Sequence, residues 1–313
     1  MKDRIENVTI VGMGALGLLF GERIADNLGT EHLCYLMDND RKKRHADDRY
    51  IINGKQVCFR IAAPDEAAGP ADLVITATKY SGLHEARDLM RPVVGKDTII
   101  VSLMNGISSE DILAEVFPRR QILDCIAIGM DAVREGTSLT FRNIGRWQIG
   151  SSQLGQERQL ALLERFFTEA DIPFEICPDI QRAMWNKFMI NVGINQTCMV
   201  YGTSYGGATA EGSEAFADLA GAMHEVISLA AAEGITLTET DYEKDIALLR
   251  SLNPTGYPSM QQDAMAKRPS EVELFAGTVL RLAKRHGLEV PVNERYYRKI
   301  KEMEQAYTTE RRE

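Results

Sequence analysis

Hydrophobic positions follow two different rhythms along this chain, and the change between them divides it. In the first half, short apolar runs alternate with segments of helical spacing. "NVTIVGMG" reads as a strand ending in glycines, "ALGLLFGERIADNL" as a helix and "HLCYLMD" as a second strand. "YIINGKQVCFRI" reads as a hairpin with Asn53-Gly54 as its turn. "ADLVITAT" is apolar along its length, the mark of a strand covered on both faces, and "SGLHEARDLMRPVV" follows as a helix. "DTIIVSLMNG" is a further strand, and "SSEDILAEVF" opens as a helix with a serine cap and early acids. "QILDCIAIGMDAV", "SLTFRNI" and "RWQIGS" close this half as strands. Strand and helix alternating in this way predict an α/β domain with a parallel sheet and helices on both faces.

After "DIPFEICPDI" the strand signal almost disappears. Periodic segments over 181–201, 211–233, 238–252, 271–286 and 294–306, each bounded by Gly, Pro or Ser, predict an all-α second domain. The boundary falls near Pro178, giving domains 1–178 and 179–313. A length of 313 residues supports two cores, since single cores stop growing at about 250 to 300 residues.

Composition narrows the function. The hydrophobic share of 44% and charged share of 26% are those of an ordinary globular protein. A net charge of −9 argues against a nucleic-acid partner, which would need a basic face. No apolar run reads as long enough to cross a membrane, and "MKDRIENVTIVGMG" lacks the pattern of a signal peptide. The five cysteines, Cys34, Cys58, Cys125, Cys177 and Cys198, are odd in number and form no C-x-x-C pair. A cytoplasmic setting with no structural disulfide and no metal is the expectation.

The sharpest chemistry signal is Gly12-x-Gly14-x-x-Gly17, directly after a strand and directly before a helix. In that context Gly12 permits a tight turn, Gly14 lets a pyrophosphate approach the backbone, and Gly17 lets the helix lie close on the sheet. The loop Gly12, Met13, Gly14, Ala15, Leu16, Gly17 is therefore the candidate dinucleotide site. Asp38 ends the second strand at the spacing where an acid meets the adenine ribose, which favours NAD. Arg41, Lys42, Lys43 and Arg44 follow at once and offer cations for a 2′-phosphate, so the 2′ group stays open. Lys79 and Asn105 lie at carboxyl ends of later strands, where open α/β sheets bind ligands. Turn residue and site residue are both readings of each.

In "MWNKFMINVGINQTC", Met184, Phe188 and Val192 have the spacing of a buried face. Lys187, Asn191 and Asn195 recur every four residues and form one slowly drifting stripe. Three asparagines, with Asn186, are an odd choice for a solvated helix, because the amide competes for local backbone. The stripe reads equally as a site or as a snorkelling lysine with amides bridging helices. Ser259 follows Pro258 at a helix start. Ser270 and Glu273 have the spacing of a capping box, and Glu271 between them suits a helix dipole.

The blocks "VGMGALG", "DLVITATKYSG", "TIIVSLMNGI", "GRWQIG", "WNKFMINVGIN" and "PSMQQDAMAKRPSEVELFAG" resemble, in order and spacing, the ketopantoate reductases (2-dehydropantoate 2-reductases) over nearly the whole chain. The resemblance implies a Rossmann-type dinucleotide-binding domain followed by an α-helical domain, with the active site in a cleft between them. It implies that Lys187 is the general acid and that Glu271 organises the site. Asn191, Asn195 and Ser259 would then bind substrate, Asn105 would lie beside nicotinamide and lysine, and Lys79 would face the cofactor. The implied reaction is reduction of ketopantoate by NADPH to (R)-pantoate, for pantothenate and coenzyme A synthesis, by a monomer or homodimer. Asp38 stands where similar proteins often carry an Arg for the 2′-phosphate, which admits NADH. Asp131 stands where a histidine is frequent. The alternatives are another 2-oxo acid as substrate, or a silent dinucleotide-binding regulator.

Overall fold

The computed structural model describes residues 3–310. The chain divides into two compact units. One comprises the residues up to Met104 together with Ser109–Ile180; the other comprises Asn105–Ser108 together with the residues from Gln181 onward.

The first unit contains strands β1 (Val8–Val11), β2 (Leu33–Leu36), β3 (Tyr50–Ile52), β4 (Lys55–Val57), β5 (Ile61–Ala62), β6 (Ala71–Thr76), β7 (Val94–Ser102), β8 (Asp124–Ile128), β9 (Val133–Glu135), β10 (Ser138–Thr140), β11 (Arg146–Gly150) and β12 (Phe174–Ile176). Its helices are α1 (Ala15–Leu28), α2 (Asn39–Arg44), α3 (Leu83–Leu89), α4 (Ser109–Ala114) and α5 (Glu157–Glu169). Five strands form a wholly parallel sheet in the order β5-β2-β1-β6-β7, with Val8 in register with Leu33 on one side and Leu73 on the other. Successive side chains alternate between faces. Ile10, Ile75 and Val101 join Phe20, Trp147 and Phe167 in one core, while Val11, Val74 and Ile100 join Leu83, Met90 and Leu113 in the other. A strand with a core on both sides has no polar face to show, which is why "ADLVITAT" is apolar throughout.

The hairpin forms as β3 and β4, antiparallel, with Asn53 at φ 46° and Gly54 at φ 82°, the left-handed pair a type I′ turn requires. It extends into a four-stranded sheet, β4-β3-β10-β9. The remaining strands form a third sheet, β12-β11-β8, in which β11 runs antiparallel to β8. Trp147 on β11 packs edge-on against Phe20 at 5.0 Å and tilted against Phe167 at 4.8 Å.

The second unit is built from α6 (Ile180–Tyr201), α7 (Tyr205–Ala208), α8 (Glu214–Ala232), α9 (Glu239–Ser251), α10 (Ser259–Met265), α11 (Ala276–His286) and α12 (Pro291–Glu310). Met184, Phe188 and Val192 of α6 are buried, as their spacing predicts. Fully buried Gln196 adds polar ties: it donates to Asn293 Oδ1 at 3.0 Å and accepts from Ala276 N at 3.1 Å. Thr197 shares a 2.6 Å hydrogen bond with Tyr296 Oη.

Two expectations are corrected. Among the described residues, α8 is the one helix long and apolar enough to cross a membrane by length and composition, with a mean hydropathy of 1.2, whereas the sequence reading expects no such run. Its Leu219, Met223, Val226 and Leu229 are buried, while Glu225 accepts from Val292 N and Asn293 N. Those contacts make it a core helix of this unit.

The capping box at Ser270 does not form either. Ser270 N and Oγ both donate to Glu304 Oε1 at 2.7 Å, and Glu273 accepts from Tyr297 Oη at 2.8 Å and Lys301 Nζ at 3.3 Å. Residues 271–275 make turns, α11 starts at Ala276, and Gln196 supplies the acceptor that a local cap would have given. Glu271 is therefore not a first-turn acid of α11.

Candidate functional site

The glycine loop closes β1 onto α1 in the first unit. Gly12 has φ +112°, and a Cβ there would lie 2.5 Å from Ala77 O; a Cβ on Gly17 would lie 2.0 Å from Gly12 O. Neither position tolerates a side chain while the loop keeps this path. Helix α1 begins without a side-chain cap bond and without an acid in its first turn. Its leading N–H groups and positive dipole end are thus left for an anion, and the cradle fits a dinucleotide pyrophosphate. Tyr35 Oη donates to Gly17 O at 2.8 Å, fixing the helix start. Arg134 of β9 donates to Met13 O, and Tyr50 Oη donates to Asp48 at 3.2 Å beside the Met13 sulfur. Arg134 escapes sequence reasoning because it reaches the loop from 121 positions away with no local pattern to mark it.

Asp38, two residues beyond β2, caps α2: its Oδ1 accepts from Arg41 N at 2.7 Å. That hydrogen bond, with the Arg41 charge, holds the carboxyl below its ordinary range and therefore ionised. Arg41 also reaches Glu85 at 3.0 Å, and Lys42 pairs with Glu66. Two of the four cations that follow Asp38 are thereby engaged by carboxylates. Lys79 is exposed three residues past β6, in extended conformation. Asp131 serves the backbone, accepting from Arg142 N and Asn143 N, both at 2.8 Å.

In the second unit the α6 stripe is no solvated face. Lys187 and Asn191 are half-buried and Asn195 is 5% exposed. Asn195 Nδ2 donates to Asn191 Oδ1 at 3.3 Å, and Asn195 Oδ1 accepts from Ser259 Oγ at 3.0 Å and Met260 N at 3.2 Å. One amide thus joins α6 to the start of α10. The Nδ2 of Asn191 is buried with no acceptor among the described residues. Such an orphan donor costs about 1 to 3 kcal/mol, a cost relieved when an acceptor arrives. Asn105 Nδ2 approaches Glu271 Oε2 at 3.4 Å, a second pairing in the same unit. Asn186 leaves the series: it donates to Asp245 at 3.0 Å, a carboxyl pushed up to about 6 by burial.

The structure thus places the glycine loop, Asp38 and Lys79 in the first unit, and Asn105, Lys187, Asn191, Asn195, Ser259 and Glu271 in the second. The second set offers one ammonium, three amides, a hydroxyl and a carboxylate, a donor-rich group suited to a small oxygenated acid.

Comparison with known proteins matches each half of the chain separately. Residues 8–153 match the model of ketopantoate reductase PanE/ApbA, and residues 179–304 match its C-terminal counterpart. A 2-dehydropantoate 2-reductase of Streptococcus pyogenes is 25% identical over 307 residues, covering 95% of this chain and 96% of the relative. The crystal structure of 2-dehydropantoate 2-reductase from Methylococcus capsulatus superposes with a TM-score of 0.80 at 25% identity, covering 96% of this chain and 97% of that one. The complex of D-mandelate dehydrogenase with NADH has the same fold, with a TM-score of 0.85 at 22% identity over 96% of this chain and 99% of that one. With a Rossmann-like parallel sheet followed by a helical unit, and both family models matched in order, the chain belongs to the ketopantoate reductase family of oxidoreductases.

Proposed function

We propose that this chain reduces a small 2-oxo acid with a nicotinamide cofactor, and that ketopantoate, giving (R)-pantoate for pantothenate synthesis, is its substrate. The observation that carries this reading is the α6 array, in which Lys187 is followed by two linked amides and the Nδ2 of Asn191 has no acceptor among the described residues. The loop Gly12–Gly17 would hold the pyrophosphate, and the bound nicotinamide supplies a hydride to C2. As that bond forms, negative charge grows on the C2 oxygen. The Lys187 ammonium stabilises this charge and delivers the proton, a contribution of about 10²- to 10⁴-fold. Asn191, Asn195 and Ser259 orient the substrate's oxygens, and Asn105 with Glu271 positions the reacting end. A substrate without an acceptor for Asn191 leaves its donor unpaired, which favours a hydroxylated acid over an aromatic one by roughly 5-fold or more.

The ionised Asp38 repels a 2′-phosphate, and the engagement of Arg41 and Lys42 by Glu85 and Glu66 weakens the opposing attraction. NADH should therefore serve at least as well as NADPH. Initial rates with ketopantoate and with benzoylformate, each against NADH and NADPH, test the reading. Higher kcat/KM on ketopantoate is expected. A preference for benzoylformate would reassign the substrate, and no cofactor oxidation with either acid would favour a silent binding protein.

A further inference from the structure

We propose that the amino-terminal edge of the parallel sheet carries a second binding site, for a small organic anion with an apolar body. A cavity of about 590 Å³ opens there, within the first unit. It lies at the ends where β1 and β6 begin, opposite the carboxyl ends at which the glycine loop sits. Its volume falls in the range of sites that hold small ligands, about 300 to 1,000 Å³.

The charge of the lining is unusual for a chain whose net charge is −9. Arg4, Lys96, Arg120 and Arg158 face the cavity, against the carboxylates of Asp72 and Asp97. Asp72 is already engaged: its Oδ2 accepts from Glu6 N at 3.0 Å and Asn7 N at 3.1 Å. Arg4 is paired at the surface, with Glu169 at 3.5 Å and Glu6 at 3.9 Å, and Arg158 has Asp3 at 3.5 Å among its contacts; these side chains are partly or fully in solvent. Lys96 and Arg120 make no ion pair among the described residues. Exposed pairs of this kind are worth little and exchange readily for a better anion.

The backbone adds to this field. Helix α5, 13 residues long, starts beside the cavity with no side-chain cap. Gln156, at its cap position, spends its Oε1 on Ser152 N and Gln153 N, and Glu157 turns back to Gly155 N at 3.4 Å. The first turn, whose dipole the Glu157 carboxylate partly offsets, lies where Arg158 and Gln159 line the space. The rim is also rigid, because buried Gln121 donates to Gly95 O at 2.6 Å and Thr98 O at 3.0 Å. Ile5, Ile99, Leu162 and Pro70 supply the apolar wall. Guanidinium forks beside an apolar wall select a phosphate or carboxylate carried on a hydrophobic group over a bare ion.

The probe is phenyl phosphate, titrated calorimetrically into the whole protein with NADH already saturating. The expected result is one site, with inorganic phosphate binding at least about 10-fold more weakly because it lacks the ring. The double variant Arg120→Glu, Arg158→Glu should weaken phenyl phosphate by at least about 10-fold while leaving NADH affinity unchanged. Absence of binding to the unmodified protein overturns the proposal, as does binding indifferent to the double variant. Binding seen in a parallel titration without NADH but not with NADH saturating would place the anion at the glycine loop and overturn it too. Equal affinity for inorganic and phenyl phosphate would remove the apolar half of the claim.

Discussion

Replacing Glu110 by Gln should make the first unit more stable than the unmodified protein above pH 8, and no more stable below pH 4.5. Glu110 stands in α4, 3% exposed, and accepts a 2.9 Å hydrogen bond from Ser109 Oγ. Burial, reinforced by the Asp124 carboxylate that Arg119 holds at 2.5 Å, pushes its carboxyl from 4.5 up to about 8. Between those values the folded chain keeps a proton that the unfolded chain has released. Stability therefore falls as pH rises, by about 1.36 kcal/mol per pH unit. Across the window of about 3.5 units the loss is about 5 kcal/mol, as much as the whole stability of a marginal domain. Glutamine keeps an acceptor for Ser109 and cannot ionise, but its NH₂ needs a partner and costs about 1 to 3 kcal/mol. The two stability curves should cross within the window, with the variant ahead by about 2 to 4 kcal/mol at pH 9. Trp147 is fully buried in the first unit and Trp185 lies in the second. Urea unfolding followed by Trp147 fluorescence in a Trp185→Phe background, at pH 5, 7 and 9, reads the effect directly. Parallel stability curves with and without the Glu110→Gln substitution would refute the reasoning.

Gly17→Ala should abolish measurable NADH binding, because its Cβ falls 2.0 Å from Gly12 O; helix propensity alone favours Ala by about 1 kcal/mol, so intact binding with a gain in stability would contradict this. Asn195→Ala removes the acceptor for Ser259 Oγ and Met260 N, which should destabilise the second unit by about 2 to 4 kcal/mol in urea and raise KM for ketopantoate while NADH affinity holds. Asp38→Asn keeps a cap for α2 and removes the charge, so the kcat/KM ratio of NADPH to NADH should rise about 10-fold, and an unchanged ratio would place 2′ recognition elsewhere.

Local signals proved legible wherever the chain's own neighbourhood decides the structure. Asn53-Gly54 makes its hairpin because both residues adopt the left-handed conformation that a type I′ two-residue turn needs. The glycine loop takes the tight path its spacing predicts, and the apolar strands are covered on both faces. Features governed by distant partners were not legible. The Ser270 capping box loses to Glu304, 34 positions on, and α11 is capped by Gln196, 80 positions back. Asn186 reads as one of a set of asparagines, yet it belongs to Asp245 on α9. Arg134 supports the glycine loop from a β-strand whose sequence carries no sign of it. The Asn105–Ser108 turn follows β7 in the chain but packs with the helical unit, a division that no composition shift marks.

Lys187 carries the chemical claim, and single-turnover and steady-state rates of Lys187→Ala with ketopantoate test it most directly. The account predicts a fall in kcat of about 10²- to 10⁴-fold with NADH affinity unchanged, since on the proposed reading the glycine loop, and not this side chain, would hold the cofactor. A variant that turns over ketopantoate at near-normal kcat would contradict the assignment of Lys187 as the proton donor.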